Sequence, residues 1–133
     1  MTREKPHVLY VEDRDDERVM MNILLTQKGF EVTTVGNAHD CIGMLTYRRF
    51  DLVLLDSMLP DASGLGLCMS IREFDDDVPV VFYSGRASDI DRQAAMRAGA
   101  TEYLVKPNDL DTIPERVWQL INDHKVRGRT AHS

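Results

Sequence analysis

Residues 52–56 read LVLLD, a short run that sharply restricts the architectures open to this chain. Four apolar residues in succession leave no polar face, so a strand made of them is buried on both sides, as in the middle of a parallel sheet. Three further runs share the pattern, and each stops at a residue with phosphate or metal chemistry. VLYV stops at Glu12-Asp13, VVFY at Ser84 and YLV at Lys106-Pro107, as LVLL stops at Asp56. Parallel strands place their carboxyl ends on one edge of the sheet, so three acids, a hydroxyl and an ammonium would converge there.

On either side of this run, short stretches rich in Val, Leu, Phe and Tyr alternate with longer segments of helical period, the signature of repeated βα units. Strands are expected near 7–12, 31–35, 51–55, 78–83 and 101–105, with helices near 15–28, 38–48, 63–73, 88–98 and 112–125. Three apolar stripes mark helix faces: Val19, Met20, Ile23 and Leu24; Cys41, Ile42 and Leu45; and Ile113, Val117, Leu120 and Ile121. Gly29 and Gly99 follow the first and fourth helices, Ser63 and Ser88 stand at N-cap positions, and Pro114 fits only a first turn.

The run VTTV at 32–35 is more polar than the others, as befits an edge strand. Right-handed crossovers then give an α/β fold, a flavodoxin-like (βα)5 doubly wound parallel sheet of order 2-1-3-4-5 with helices on both faces. Its ligand crevice lies outside the carboxyl ends of strands 1 and 3, where Glu12, Asp13 and Asp56 sit. Five strands and five helices account for residues 1–125 as one domain. Residues 126–133 are expected as a flexible basic tail, because His124 to Ser133 carry Lys125, Arg127 and Arg129 and no apolar stripe.

A length of 133 residues suits one domain, and 43% hydrophobic with 29% charged residues is ordinary for a globular fold. No apolar run of membrane-spanning length and no leader pattern occurs, so the expectation is a cytoplasmic protein with no membrane partner. A net charge of −6 argues against direct nucleic-acid binding, which needs a basic face. Cys41 and Cys68 form no CxxC and are read as reduced, partly buried thiols.

Three acids at one edge pose an electrostatic problem. Two like charges about 4 Å apart repel by roughly 4 kcal/mol at an effective dielectric near 20. Something positive must stand among them, and the candidates are Lys106 and a divalent cation. An all-oxygen, partly hydrated site suits Mg2+. Without metal the acids should titrate as a coupled group, at least one of them raised. With it, Asp56 becomes a nucleophile able to form an acyl phosphate. Asp13 and Asp56 would hold the metal directly, Glu12 through water, and the Met58 backbone carbonyl would add an oxygen. Lys106 and the metal neutralise phosphoryl oxygens, and Ser84 Oγ donates to one of them.

Each residue alone has a plainer reading. A single Asp at a strand end is most often a helix cap, and Lys-Pro or Ser-Gly is most often a turn. The conjunction at four strand ends is what favours chemistry. A hydrolase of the haloacid dehalogenase type would need a second acid two residues after Asp56, where Met58 stands. A flavin site would need a phosphate cradle after strand 1, where the loop reads Glu12-Asp13-Arg14-Asp15-Asp16.

Taken together, the acidic pair Glu12-Asp13, the segment Asp56-Ser57-Met58-Leu59-Pro60-Asp61-Ala62-Ser63-Gly64, Ser84, the Ala-Gly-Ala step at 98–100 and Tyr103-Leu104-Val105-Lys106-Pro107 resemble the CheY-like receiver domain of two-component response regulators. The resemblance covers roughly residues 6–125. It implies that Asp56 accepts phosphate from a sensor histidine kinase or phosphotransfer protein, or from acetyl phosphate, with Mg2+ required. It further implies a cis Lys106-Pro107 peptide, a switch pair of Ser84 and Tyr103, and an output face of the fourth helix, fifth strand and fifth helix. That face would bind a downstream protein or a second copy on phosphorylation. Catalysis would be limited to the domain's own phosphorylation and dephosphorylation, so no separate enzyme is expected. Apart from the resemblance, Met58 and Arg86, each two residues beyond Asp56 or Ser84, are expected to flank the path of water to the acyl phosphate and to slow its hydrolysis by their bulk.

Some positions depart from the family's commonest pattern: Gly85 after Ser84, Asn108 after the Lys-Pro pair, and an irregular stretch from Asp109 to Pro114. Two other readings stay open, a phosphorylation-independent pseudo-receiver and a receiver cut from a hybrid kinase or multidomain regulator. The Met1 start favours an N-terminal receiver, and the basic tail reads equally as the beginning of a linker.

Overall fold

The computed structural model describes residues 4–131. Five strands, β1 (His7–Val11), β2 (Glu31–Val35), β3 (Leu52–Leu55), β4 (Val80–Ser84) and β5 (Glu102–Val105), form one sheet in the order β2-β1-β3-β4-β5. Every pairing is parallel, with Val11 opposite both Val35 and Leu55. The expected strand order and edge strand are therefore those found.

Helices α1 (Asp15–Gln27), α2 (Ala38–Tyr47), α3 (Gly64–Phe74), α4 (Asp89–Arg97) and α5 (Ile113–Ala131) cover both faces. Because side chains alternate along a strand, each face has its own core. On one side Leu9, Val11, Val53, Leu55, Val80 and Phe82 pack against α2, α3 and α4, with Cys41 and Cys68 among them. On the other, Val8, Tyr10, Leu54, Val81 and Leu104 meet Met21 and Leu25 of α1 and Ile113, Val117 and Ile121 of α5.

The punctuation is local. Gly29 and Gly99 adopt φ of 97° and 109°, left-handed values that end the preceding helices without a Cβ penalty. Ser63 and Ser88 accept the amides of Gly66 and Asp91 and so cap α3 and α4.

Two expectations need correction. The stripe assigned to α1 was rotated: Val19, Met20 and Ile23 are exposed, and Met21 and Leu25 are the residues buried. Apolar residues occupy more than one face of VMMNILL, so periodicity alone does not choose among them. The last helix also does not stop at 125. It continues to Ala131, making the tail expected from 126 helical as far as that residue, with 132 and 133 outside the described residues. Nothing in HKVRGRTA is proline, and Gly128 disfavours a helix by only about 1 kcal/mol. The irregular approach to α5 is a 3-10 turn at Leu110–Thr112. Among the described residues no helix is long and apolar enough to cross a membrane.

Candidate functional site

The carboxyl ends of β1, β3, β4 and β5 meet as the sequence pattern requires. Backbone bonds set the edge: the Glu12 amide donates to Val35, the Asp56 amide to Val11 and the Lys106 amide to Ser84. Carboxylate oxygens of Glu12, Asp13 and Asp56 lie within 4.8 Å of one another.

Glu12 is fully buried and Asp13 exposed, so the pair straddles the rim. Lys106 Nζ stands 2.5 Å from Glu12 Oε1 and 3.6 Å from Asp56 Oδ2. It also lies 5.4 Å from the centre of the Tyr83 ring, a cation over an aromatic face. Burial pushes the Glu12 carboxyl above its usual range, against the pull of the Lys106 ammonium and the Arg14 amide, which donates to Oε2 at 3.1 Å. For Lys106 burial works downward, yet the hydrogen bonds to Glu12 and Glu17 and the charge of Asp56 raise it overall. One acid of the group is thus raised, as expected, and the ammonium supplies the required positive charge.

Asp56 is placed by the turn that follows β3. Its Oδ1 accepts the Ser57 amide at 2.7 Å, and the Gly64 amide returns to the Ser57 carbonyl at 2.7 Å. That return brings the α3 N-terminus so close that a Cβ on Gly64 would run into the Asp56 carbonyl oxygen. The glycine is needed here for space rather than for its torsion.

Ser84 is 2% exposed, and its Oγ accepts the Arg86 amide at 3.2 Å. The Lys106-Pro107 peptide is cis. Tyr103 is buried, stacked on Phe82 with centroids 5.7 Å apart, and its phenol donates to the Arg86 carbonyl at 2.5 Å. The Arg86 guanidinium reaches across to the Met58 thioether at 3.3 Å. These two side chains face each other over a cavity of about 380 Å³ that Ser57, Phe82 and Tyr103 also line.

The fit to a divalent cation follows from the donors. Both Glu12 oxygens already hold protein hydrogens, from Lys106 and Arg14, so Asp13 and Asp56 are the freer ligands and Glu12 suits an outer, water-bridged place.

Sequence reasoning missed Glu17. Its Oε1 lies 3.0 Å from Lys106 Nζ and its Oε2 3.4 Å from Arg14 Nε. The available signal was its position one helical turn after Asp13, at the start of α1, which carries it over the same sheet edge. Within the charged run RDDER it reads instead as a solvated first turn.

The family model for the response regulator receiver domain matches residues 8–118. The chain belongs to that family. It is 38% identical over 128 residues to the transcriptional regulatory protein PrrA of Mycobacterium tuberculosis, a match covering 96% of this chain and 54% of PrrA. The receiver therefore spans about half the length of the curated relatives it matches. Among solved structures, the non-phosphorylated HemR receiver domain of Leptospira biflexa superposes with a TM-score of 0.81 at 29% identity, covering 88% of this chain and 94% of that one. A BeF3-activated DrrB receiver domain gives 0.81 at 25%, covering 90% and 99%. The chain is a receiver domain of the two-component response regulator type, with a CheY-like fold.

Proposed function

We propose that this receiver is a phosphorylation-dependent switch in which Asp56 takes a phosphoryl group from the phosphohistidine of a sensor histidine kinase or phosphotransfer protein. What carries the reading is the meeting of Glu12, Asp13 and Asp56 within 4.8 Å beside the Lys106 ammonium. A carboxylate oxygen of Asp56 attacks phosphorus, the bond to the donor breaks, and the donor imidazole leaves. A bound Mg2+ would supply positive charge against the phosphoryl oxygens. Asp13 and Asp56 would hold it directly, Glu12 through water, and the Met58 carbonyl would add an oxygen.

Lys106 then bonds a phosphoryl oxygen, and Ser84 turns its hydroxyl from the Arg86 amide to another. A charge of about −1.5 to −2 arrives with the group. The loop carrying Arg86 follows Ser84, and Tyr103, tied to that loop, passes the change to the face of α4, β5 and α5. That face would receive a downstream protein or, on phosphorylation, a second copy. Glu102 on it is already held by Arg116 of α5. The domain itself acts on no other substrate, works in the cytoplasm and binds no nucleic acid directly.

The test is incubation with acetyl phosphate and Mg2+ followed by intact mass measurement. Wild type should gain one phosphoryl group and Asp56→Asn none. Size-exclusion of the modified form tests the dimer. A wild-type protein that gains nothing under saturating donor would establish the phosphorylation-independent reading instead.

A further inference from the structure

We infer that Glu17 is a positioning residue for Lys106, holding the ammonium in its resting place and releasing it when a phosphoryl group forms on Asp56. The inference rests on the phosphoacceptor reading of Asp56. An ammonium has three hydrogens to give. Here Glu12 Oε1 at 2.5 Å and Glu17 Oε1 at 3.0 Å are within hydrogen-bond reach, while Asp56 Oδ2 at 3.6 Å is beyond it. An oxygen on a phosphorylated Asp56 can take the third hydrogen, and every step of the ammonium toward that side chain lengthens one of the two closer contacts.

Glu12 is poorly suited to let go. It is fully buried, and a buried carboxylate stripped of its cation is strongly disfavoured. Glu17 differs in three respects. Its side chain is 23% exposed, it sits on the first turn of α1, and Arg14 Nε stands 3.4 Å from its other oxygen, so it keeps a cation after release. The Tyr10 hydroxyl, buried and without a hydrogen-bond partner, lies close enough to feel the charges of both Glu12 and Glu17. An unused donor therefore stands on the same side of the sheet.

Such a competitor has a one-sided kinetic effect. It stabilises the unphosphorylated protein and is already disengaged in the phosphorylated one. Removing it should speed phosphoryl uptake and leave phosphoryl loss alone. A residue that only fastened α1 to the pocket would alter both rates when removed.

The experiment compares wild type, Glu17→Gln and Glu17→Ala in acetyl phosphate with Mg2+ saturating for each protein. The rate of phosphorylation is followed by intact mass, and the decay of the phosphoryl group after donor removal is followed separately. Both variants should be phosphorylated about 1.5- to 5-fold faster, the range expected for a partly exposed ion pair. Their decay rates should match wild type. Equal or slower uptake in the variants, or a parallel change in uptake and decay, overturns the role of Glu17 alone. A wild type that takes up no phosphoryl group overturns the reading beneath it as well.

Discussion

Ser84 and Tyr103 meet on the backbone of one residue, Arg86, whose amide donates to Ser84 Oγ at 3.2 Å and whose carbonyl accepts the Tyr103 phenol at 2.5 Å. The loop after β4 is tied at a single point to a strand-end hydroxyl and to the ring of β5. Tyr103→Phe keeps the stacking on Phe82 and removes only the tie. It should lower stability by about 0.5–1.5 kcal/mol in urea unfolding, the net contribution of one hydrogen bond. Amide exchange across residues 85–88 should quicken, and unaltered exchange there would mean that something else holds the loop.

Divalent cations should reverse the effect of one substitution. Asp13 is exposed beside two other carboxylates, while Lys106 is engaged with Glu12, Glu17 and Asp56. Without metal, Asp13→Asn should melt higher than wild type because a like-charge contact is relieved. With Mg2+ at a hundred times its Kd, wild type should gain about 2.7 kcal/mol and the variant far less. Thermal melts with Mg2+ and with a chelator decide this, and a variant that gains as much as wild type would exclude Asp13 as a ligand.

His7, on β1 at the opposite end of the sheet, should make stability fall in mild acid. Its Nδ1 lies 2.7 Å from Arg48, which can only donate, and Nε2 lies 2.7 Å from Thr33 Oγ1, so the ring is neutral with the proton on Nε2. Burial first, then the Arg48 charge, hold its pKa below the usual 6.5, with Glu31 and Asp51 pulling the other way. A pKa lower in the folded state means that the unfolded chain binds the proton more readily. The stabilising contribution is therefore complete above about 6.5 and is lost as pH falls below that value. His7→Leu should flatten the stability profile below about pH 6.5 relative to wild type. Parallel profiles would remove His7 as the source.

Two glycines should answer oppositely to alanine. A Cβ on Gly64 would strike the Asp56 carbonyl oxygen and come within 2.9 Å of Ser57 Cα, both backbone atoms that have little room to yield. Gly64→Ala should cost about 1–3 kcal/mol and impair phosphoryl uptake. At Gly85 a Cβ meets nothing within 4 Å and the torsion is not left-handed, so Gly85→Ala should raise stability by about 0.4–1 kcal/mol. Denaturant midpoints measure both.

The Arg86 guanidinium and the Met58 thioether are in contact. If they shield an acyl phosphate from water, shortening both to alanine should cut the phosphoryl half-life, and each single change should do so less. A half-life unmoved by the double substitution would leave the pair without that role.

The fold was legible because its strands are short, fully apolar runs whose order follows from one polar edge strand and from crossover handedness. The site was legible for a related reason: a parallel sheet delivers every strand's last residue to the same rim, so Glu12, Asp13, Asp56, Ser84 and Lys106 needed no further fixing. What escaped depends on the azimuth of helices. In α1 the choice between Met20 and Met21 as the buried residue is a rotation of about 100°, and apolar residues on both sides of it leave the sequence indifferent. The same rotation decides whether Glu17 points to water or to Lys106. Chain past 125 lacks an inward stripe, yet backbone hydrogen bonding extends a helix already nucleated by the buried turns of α5.

Because the sheet separates two cores, the chain carries a native reporter for each. Cys41 and Cys68, its two cysteines, both lie on the α2–α4 side, where burial raises both thiols, Cys41 to about 12. The single tryptophan, Trp118, packs on Phe30 at 4.7 Å on the other side. Alkylation kinetics and indole fluorescence should therefore register the opening of different halves. A receiver that loosens one layer before the other would reveal this without any label being introduced.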